Sequence, residues 1–195
     1  KEITKDENYS LYLKMVFNRI FEISRKEKIE KSTIIFTGGY TDCFKPYRRT
    51  EAGEMLRFFK NFIAARDYLK VFVKSLRFIK EERALSTLEN FLLTKQTIDG
   101  KNISGDIMIF CEVLRTKRVQ ILAKKIWGKV RKVTVMPIDF DVTSNSYAPE
   151  ELLYKKERAA LQGDLWALKS EENLKKHHKF FVEKIKFMLH FIFNV

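Results

Sequence analysis

An α/β domain with a mainly parallel sheet is what this sequence predicts, and three observations predict it. Short apolar, β-branched runs recur along the chain, helical periodicities lie between them, and the connections are brief. The first such run, Ser32–Thr37 (STIIFT), is apolar on both faces and stops at Gly38–Gly39, as a buried parallel strand does. Strands separated by helices in this way call for parallel pairing with right-handed crossovers.

Composition sets the outer bounds. The chain has 195 residues and a net charge of +13, with 45% hydrophobic residues and only 7 Gly and 3 Pro. Those numbers exclude collagen-like, mucin-like and linker chains, and 17 Phe, 7 Tyr and 2 Trp supply ample surface to bury. The length suits one domain, about 100–200 residues being usual. No apolar run reaches the ~18 residues that span a bilayer, and no signal-like start is present. Two cysteines are too few for a disulfide scaffold, so a cytoplasmic location is expected. Positive charge is concentrated between Lys101 and Lys132, where nine basic residues face two acidic ones, Asp106 and Glu112.

The elements follow in order. Residues 9–28 read as a helix from the recurrence of Leu11, Met15, Phe17, Ile20 and Phe21. After the first strand, a loop from Tyr40 to Thr50 leads to a second helix, with Ala52, Met55, Leu56, Phe59 and Ile63 forming its core-facing stripe. Thr50 is its expected N-cap, and Glu51 suits the positive helix end. Residues 65–75 fit either a helix or, at Val71–Val73, an extended segment. Leu76–Lys80 is a short strand. Ser86-Thr87-Leu88-Glu89 fits a capping box and starts a helix to about Ile98. Ile107–Cys111 is a strand, and residues 115–128 form a helix with Val119, Leu122, Ala123 and Ile126 inward. Arg115 shares the bearing of that stripe one turn earlier, so it should overhang the end of the sheet. Val133–Met136 is a strand stopped by Pro137, and residues 149–169 and 171–192 are two terminal helices.

In open parallel sheets, ligands bind beyond the carboxyl ends of the strands, where helix N-termini converge. Each predicted strand here is followed by polar residues. Gly38 and Gly39 would let backbone N–H groups approach an anion. Arg115 and Arg118 would grip a phosphate or carboxylate, and Thr87 and Asn90 would orient it. The ligand-binding residues expected at this edge are therefore Gly38, Gly39, Thr50, Glu51, Thr87, Asn90, Glu112, Arg115 and Arg118. For an acid–base step the candidates are Glu51 and Glu82, then Glu54 and Glu112, with Asp42 or Asp139 behind them. Glu51 at a helix start is equally explained by the helix dipole, and Glu89 by the capping box. Cys43 and Cys111 have no adjacent His, and Cys111 on an apolar strand reads as a small buried hydrophobe. The histidines, His177, His178 and His190, all lie in the last helix. Its adjacent pair faces two directions, so no metal site is expected.

The segments IIFTGG, RTEAGEM, ALSTLENFL, IMIFCEVLRTKRVQILA and VTVMPIDFD, in this order across residues 10–141, resemble the YdcF/SanA/ElyC-like bacterial family of unknown function. The resemblance implies a Rossmann-like three-layer α/β domain; its expected bounds are residues 1–148, with residues 149–195 a helical extension packed on it. It implies a pocket including Gly38, Gly39, Glu51, Ala52, Thr87, Glu89, Asn90 and Arg118. Two departures stand out. Arg115 occupies the place of the family's usual His, exchanging an acid–base group for a fixed cation. The family's opening strand, with its own Gly-rich turn, is missing before residue 10, and a membrane anchor of the kind some members carry could only precede Lys1.

The function expected is binding of a small anionic ligand, of nucleotide or phosphate type and with S-adenosylmethionine as one guess, followed by hydrolysis or group transfer. The alternative is a basic module for nucleic acid or an anionic membrane surface, working through Lys117, Lys124, Lys125, Lys129, Arg131 and Lys132. The terminal helices, with Trp166, Phe180, Phe181 and Ile185, are expected to pack in the core or between subunits.

Overall fold

The computed structural model describes residues 7–29, 31–40, 49–128, 130–139 and 149–193. Its architecture is α/β and Rossmann-like, as the sequence predicts, and its strands pair in parallel. The order is α1 (Glu7–Lys26), β1 (Ser32–Thr37), α2 (Glu51–Ala64), α3 (Asp67–Val73), β2 (Leu76–Glu81), α4 (Thr87–Gly100), β3 (Ile107–Glu112), α5 (Thr116–Ile126), β4 (Val133–Ile138), α6 (Glu150–Ala167) and α7 (Glu171–Phe193). A single 3-10 turn, Val113–Arg115, joins β3 to α5. The chain divides into two compact units, Lys1–Ala84 and Leu85–Val195. That division falls ahead of α4, and α6 and α7 belong to the second unit.

In the first unit β1 and β2 form a parallel pair, with Ser32 opposite Leu76 through to Thr37 opposite Glu81. Helices α2 and α3 make the crossover. The ambiguous stretch before β2 is thus helical, with Val71 exposed and Leu69 inward. The core is aromatic: Phe59 of α2 meets Phe17 of α1 at 4.2 Å between ring centroids, Phe78 of β2 at 5.3 Å and Phe36 of β1 at 5.9 Å. Burying each such ring contributes about 1.5–3 kcal/mol. The α2 stripe is inward at Ala52, Phe59 and Ile63, while Met55 and Leu56 are half-buried.

In the second unit β3 and β4 pair in parallel, from Ile107 opposite Val133 to Glu112 opposite Ile138, with α5 as the crossover. Strand β4 does not stop at Pro137, which lies opposite Cys111. Strand β4 has β3 as its one partner among the described residues, so a residue without an N–H is tolerated on its outer side. Val119, Leu122 and Ala123 point inward as predicted. They pack with Leu88, Phe91, Cys111, Trp127 and Ala167, so α4, α5 and α6 share one core with β3.

Candidate functional site

The expected site residues divide between the units. Gly38, Gly39, Thr50, Glu51 and Glu82 lie in the first, and Thr87, Asn90, Glu112, Arg115 and Arg118 in the second. Asp42, Cys43 and Asp141 fall outside the described residues, as does the side chain of His190, and Asp139 is exposed.

At the carboxyl end of β1 the glycine pair makes a close crossing of backbones rather than an anion cradle. Gly38 N–H donates to Glu81 O at 2.9 Å and Gly39 N–H to Ala84 O at 2.6 Å. The start of α2 is equally committed. Glu51 N–H donates to Gly39 O (2.9 Å), Ala52 N–H to Gly38 O (3.0 Å) and Gly53 N–H to Thr50 Oγ1 (3.0 Å). The Gly38 and Gly39 amides expected to meet a ligand, and three at the start of α2, therefore already have partners within the unit, and the glycines have a steric explanation. Gly38 has φ +138, and a Cβ on Gly39 would sit 2.8 Å from Ala84 O and 2.9 Å from Glu82 O.

The carboxylates here are structural. Glu81, buried at the end of β2, accepts from Thr37 Oγ1 (3.2 Å), Arg83 N–H (2.9 Å) and Ala84 N–H (3.3 Å), which fixes the turn after the strand. Glu51 accepts from Tyr9 Oη at 2.9 Å. Glu82 accepts from Thr50 Oγ1 at 2.6 Å and Lys80 Nζ at 2.9 Å. The Thr50 hydroxyl first, then Lys80, hold its carboxyl below the usual range against a smaller opposing effect of burial. A carboxylate so stabilised is a weak base at neutral pH, which counts against the catalytic part expected of Glu82.

Glu54 is almost wholly buried and accepts from Arg57 Nη2 (2.6 Å) and Nε (3.2 Å) and from Arg49 Nη1 (3.1 Å). Burial pushes its pKa up, but the two guanidinium groups outweigh burial and leave it below 4.5. The stabilisation is therefore complete above about pH 4.5 and is lost as pH falls through the lowered folded value. In urea melts across this range, wild type loses its advantage over Glu54→Gln as acid is added. A constant difference would contradict the pairing.

The second unit carries a chain of charges around the carboxyl end of β3. Glu112, the last strand residue, pairs with Arg115 Nε at 3.1 Å, and Arg115 Nε also faces Glu157 Oε1 of α6 at 3.7 Å. Arg118 Nη1 donates to the other Glu157 oxygen at 3.3 Å, and Arg118 Nε to Asp164 Oδ2 at 2.6 Å. Arg115 stands exposed in the 3-10 turn after β3 rather than on α5, so the helical bearing expected of it does not apply. Arg118 does not stand open to solvent. It is 8% exposed and bound to Asp164, itself 1% exposed.

Helix α7 adds two groups that sequence reasoning set aside. His177 Nε2 lies 3.5 Å from Asp164 Oδ1, with its ring against Phe181. His178 Nδ1 meets Glu89 Oε1 at 2.8 Å, and its side chain is more than half exposed. Adjacent residues on a helix do face two ways, and here each meets a different carboxylate. The adjacency was the available signal, but the partners come from α4 and α6. Glu89 also caps α4, its Oε2 accepting from Leu85 N–H at 2.7 Å while Ser86 Oγ accepts from Glu89 N–H at 3.2 Å. The box thus forms with the return bond one residue earlier than predicted. Thr87 begins α4 half-buried, and Asn90 N–H continues the helix to Ser86 O.

Cys111 is buried, and burial pushes its thiol up to about 11, so it is inert at neutral pH. Among the described residues no group of three or more His, Cys, Asp or Glu is placed to hold a metal ion, and no helix is long and apolar enough to cross a membrane. Compared with known proteins, the chain matches no family model, no curated protein and no solved structure.

Proposed function

We propose that the protein binds a small anion of phosphate or nucleotide type at the carboxyl end of β3, through the guanidinium groups of Arg115 and Arg118. One observation carries this reading: the two guanidiniums share the single Glu157 carboxylate, at 3.7 and 3.3 Å. Charge-assisted hydrogen bonds settle at about 2.7–2.9 Å, so Glu157 is a loose occupant of a fork with several donors. A phosphate brings more charge and more acceptor oxygens than one carboxylate and can replace it. Asp164 supports the reading by holding Arg118 from behind, so the fork keeps its orientation when Glu157 leaves.

Hydrolysis or group transfer at the bound ligand belongs to the same reading, and so does a cytoplasmic setting.

Thermal-shift and calorimetric titrations with inorganic phosphate, pyrophosphate, ATP and S-adenosylmethionine test it. At least one of them stabilises wild type, and Arg115→Gln weakens that ligand about tenfold, or ~1.4 kcal/mol. Glu157→Gln, which removes one internal competitor and leaves Glu112 at 3.1 Å from Arg115, binds it more tightly than wild type. If none of the four binds, or if Arg115→Gln binds as wild type does, the proposal fails.

A further inference from the structure

Eight basic residues and no acidic one lie between Val113 and Lys132. Two of them, Arg115 and Arg118, turn toward the carboxylates of α6. Three lysines of α5 reach solvent instead. Lys117, Lys124 and Lys125 are all exposed, and none has an acidic partner among the described residues. Elsewhere some exposed lysines pair, Lys70 with Asp67 and Lys176 with Glu172, while others, such as Lys155, Lys156 and Lys175, have no acidic partner among the described residues. Lys132, exposed just beyond α5, keeps only a 3.8 Å contact to Asp106. No acidic residue stands on α5 itself, so its exposed positions carry positive charge alone.

Lys117 and Lys124 share one bearing, a heptad apart, and so stand about 10 Å apart along the helix axis. That spacing exceeds what one small anion bridges but lies within the run of phosphates along a duplex, which carries one charge per ~1.7 Å of axis. The exposed positions of α5 are Lys117, Gln120, Lys124 and Lys125, all polar. An interfacial membrane helix needs an apolar face to insert, and this one presents none.

We infer that the outer face of α5 is a docking surface for the phosphate backbone of duplex nucleic acid, with Lys117, Lys124 and Lys125 as its contacts. Recognition of this kind is electrostatic and indifferent to sequence, because lysine tips reach phosphates rather than base edges. The surface is independent of the Arg115 and Arg118 site.

The test is fluorescence anisotropy of a labelled DNA duplex of about two helical turns, titrated with the full chain between about 50 and 200 mM salt. Wild type binds with an affinity that falls steeply with salt. The triple variant Lys117→Gln, Lys124→Gln, Lys125→Gln reduces the slope of log K against log salt by between two and three, each phosphate contact contributing about 0.9. A control triple variant, Lys155→Gln, Lys156→Gln, Lys175→Gln, removes the same charge from exposed positions on α6 and α7 and keeps the wild-type slope. Equal loss in both variants assigns binding to net charge and overturns the inference. So does an absence of duplex binding, or association with phosphatidylglycerol-containing vesicles in its place.

Discussion

Asp164→Ala lowers the stability of the second unit by about 3–5 kcal/mol, the usual cost of leaving one member of a buried ion pair alone. Arg118 is 8% exposed, and its Nε donates to Asp164 at 2.6 Å. Without Asp164 the guanidinium keeps only the 3.3 Å contact to Glu157, and His177 loses the carboxylate it faces at 3.5 Å. The intact pair is not in itself a large source of stability, since desolvating two charges offsets most of their attraction. The double variant Arg118→Met, Asp164→Leu therefore recovers most of what Asp164→Ala loses. Both tryptophans, Trp127 and Trp166, belong to this unit, so fluorescence-detected urea unfolding reports on it directly. A loss below about 1 kcal/mol, the range of exposed pairs, would mean that solvent reaches Arg118.

The same pair marks where sequence reasoning reaches its limit. Much of what neighbours in the chain set was legible: β1 as STIIFT, Thr50 capping α2, Ser86 capping α4, and the inward stripe of α5. These depend on periodicity and on bonds spanning three or four residues. The partner of Arg118 lies 46 residues away and that of His178 lies 89 away, and no local pattern announces either. Periodicity also could not say whether Gly38 and Gly39 admit a ligand or a neighbouring backbone. The answer depends on the carbonyls of Glu82 and Ala84, which approach Gly39 only once β2 is paired with β1. Pro137 failed as a strand stop for a related reason. Its missing N–H matters only where a second partner strand would need it. The fold class was therefore readable, whereas the candidate site took its shape from contacts made by α6 and α7.

Leu122→Ala costs about 2–5 kcal/mol, and it separates folding from binding. Leu122 is 0% exposed and packs in the cluster that holds Leu88, Phe91, Trp127 and Ala167. Removing its isopropyl group loses transfer free energy and opens a cavity walled by α4, α6 and β3, elements whose own contacts resist collapse. Ile126→Ala, one turn later and half-buried, costs less because solvent already reaches that side chain. Leu122 lies about 140° around α5 from Lys117. The variant should therefore unfold at lower urea concentration by tryptophan fluorescence, yet bind duplex and small anions as wild type does wherever it remains folded. Lost binding under conditions where the variant is still native would place Leu122 in the recognition surfaces themselves. A cost near zero would detach α5 from the core, and with it the orientation of Arg115, Arg118 and the lysine face.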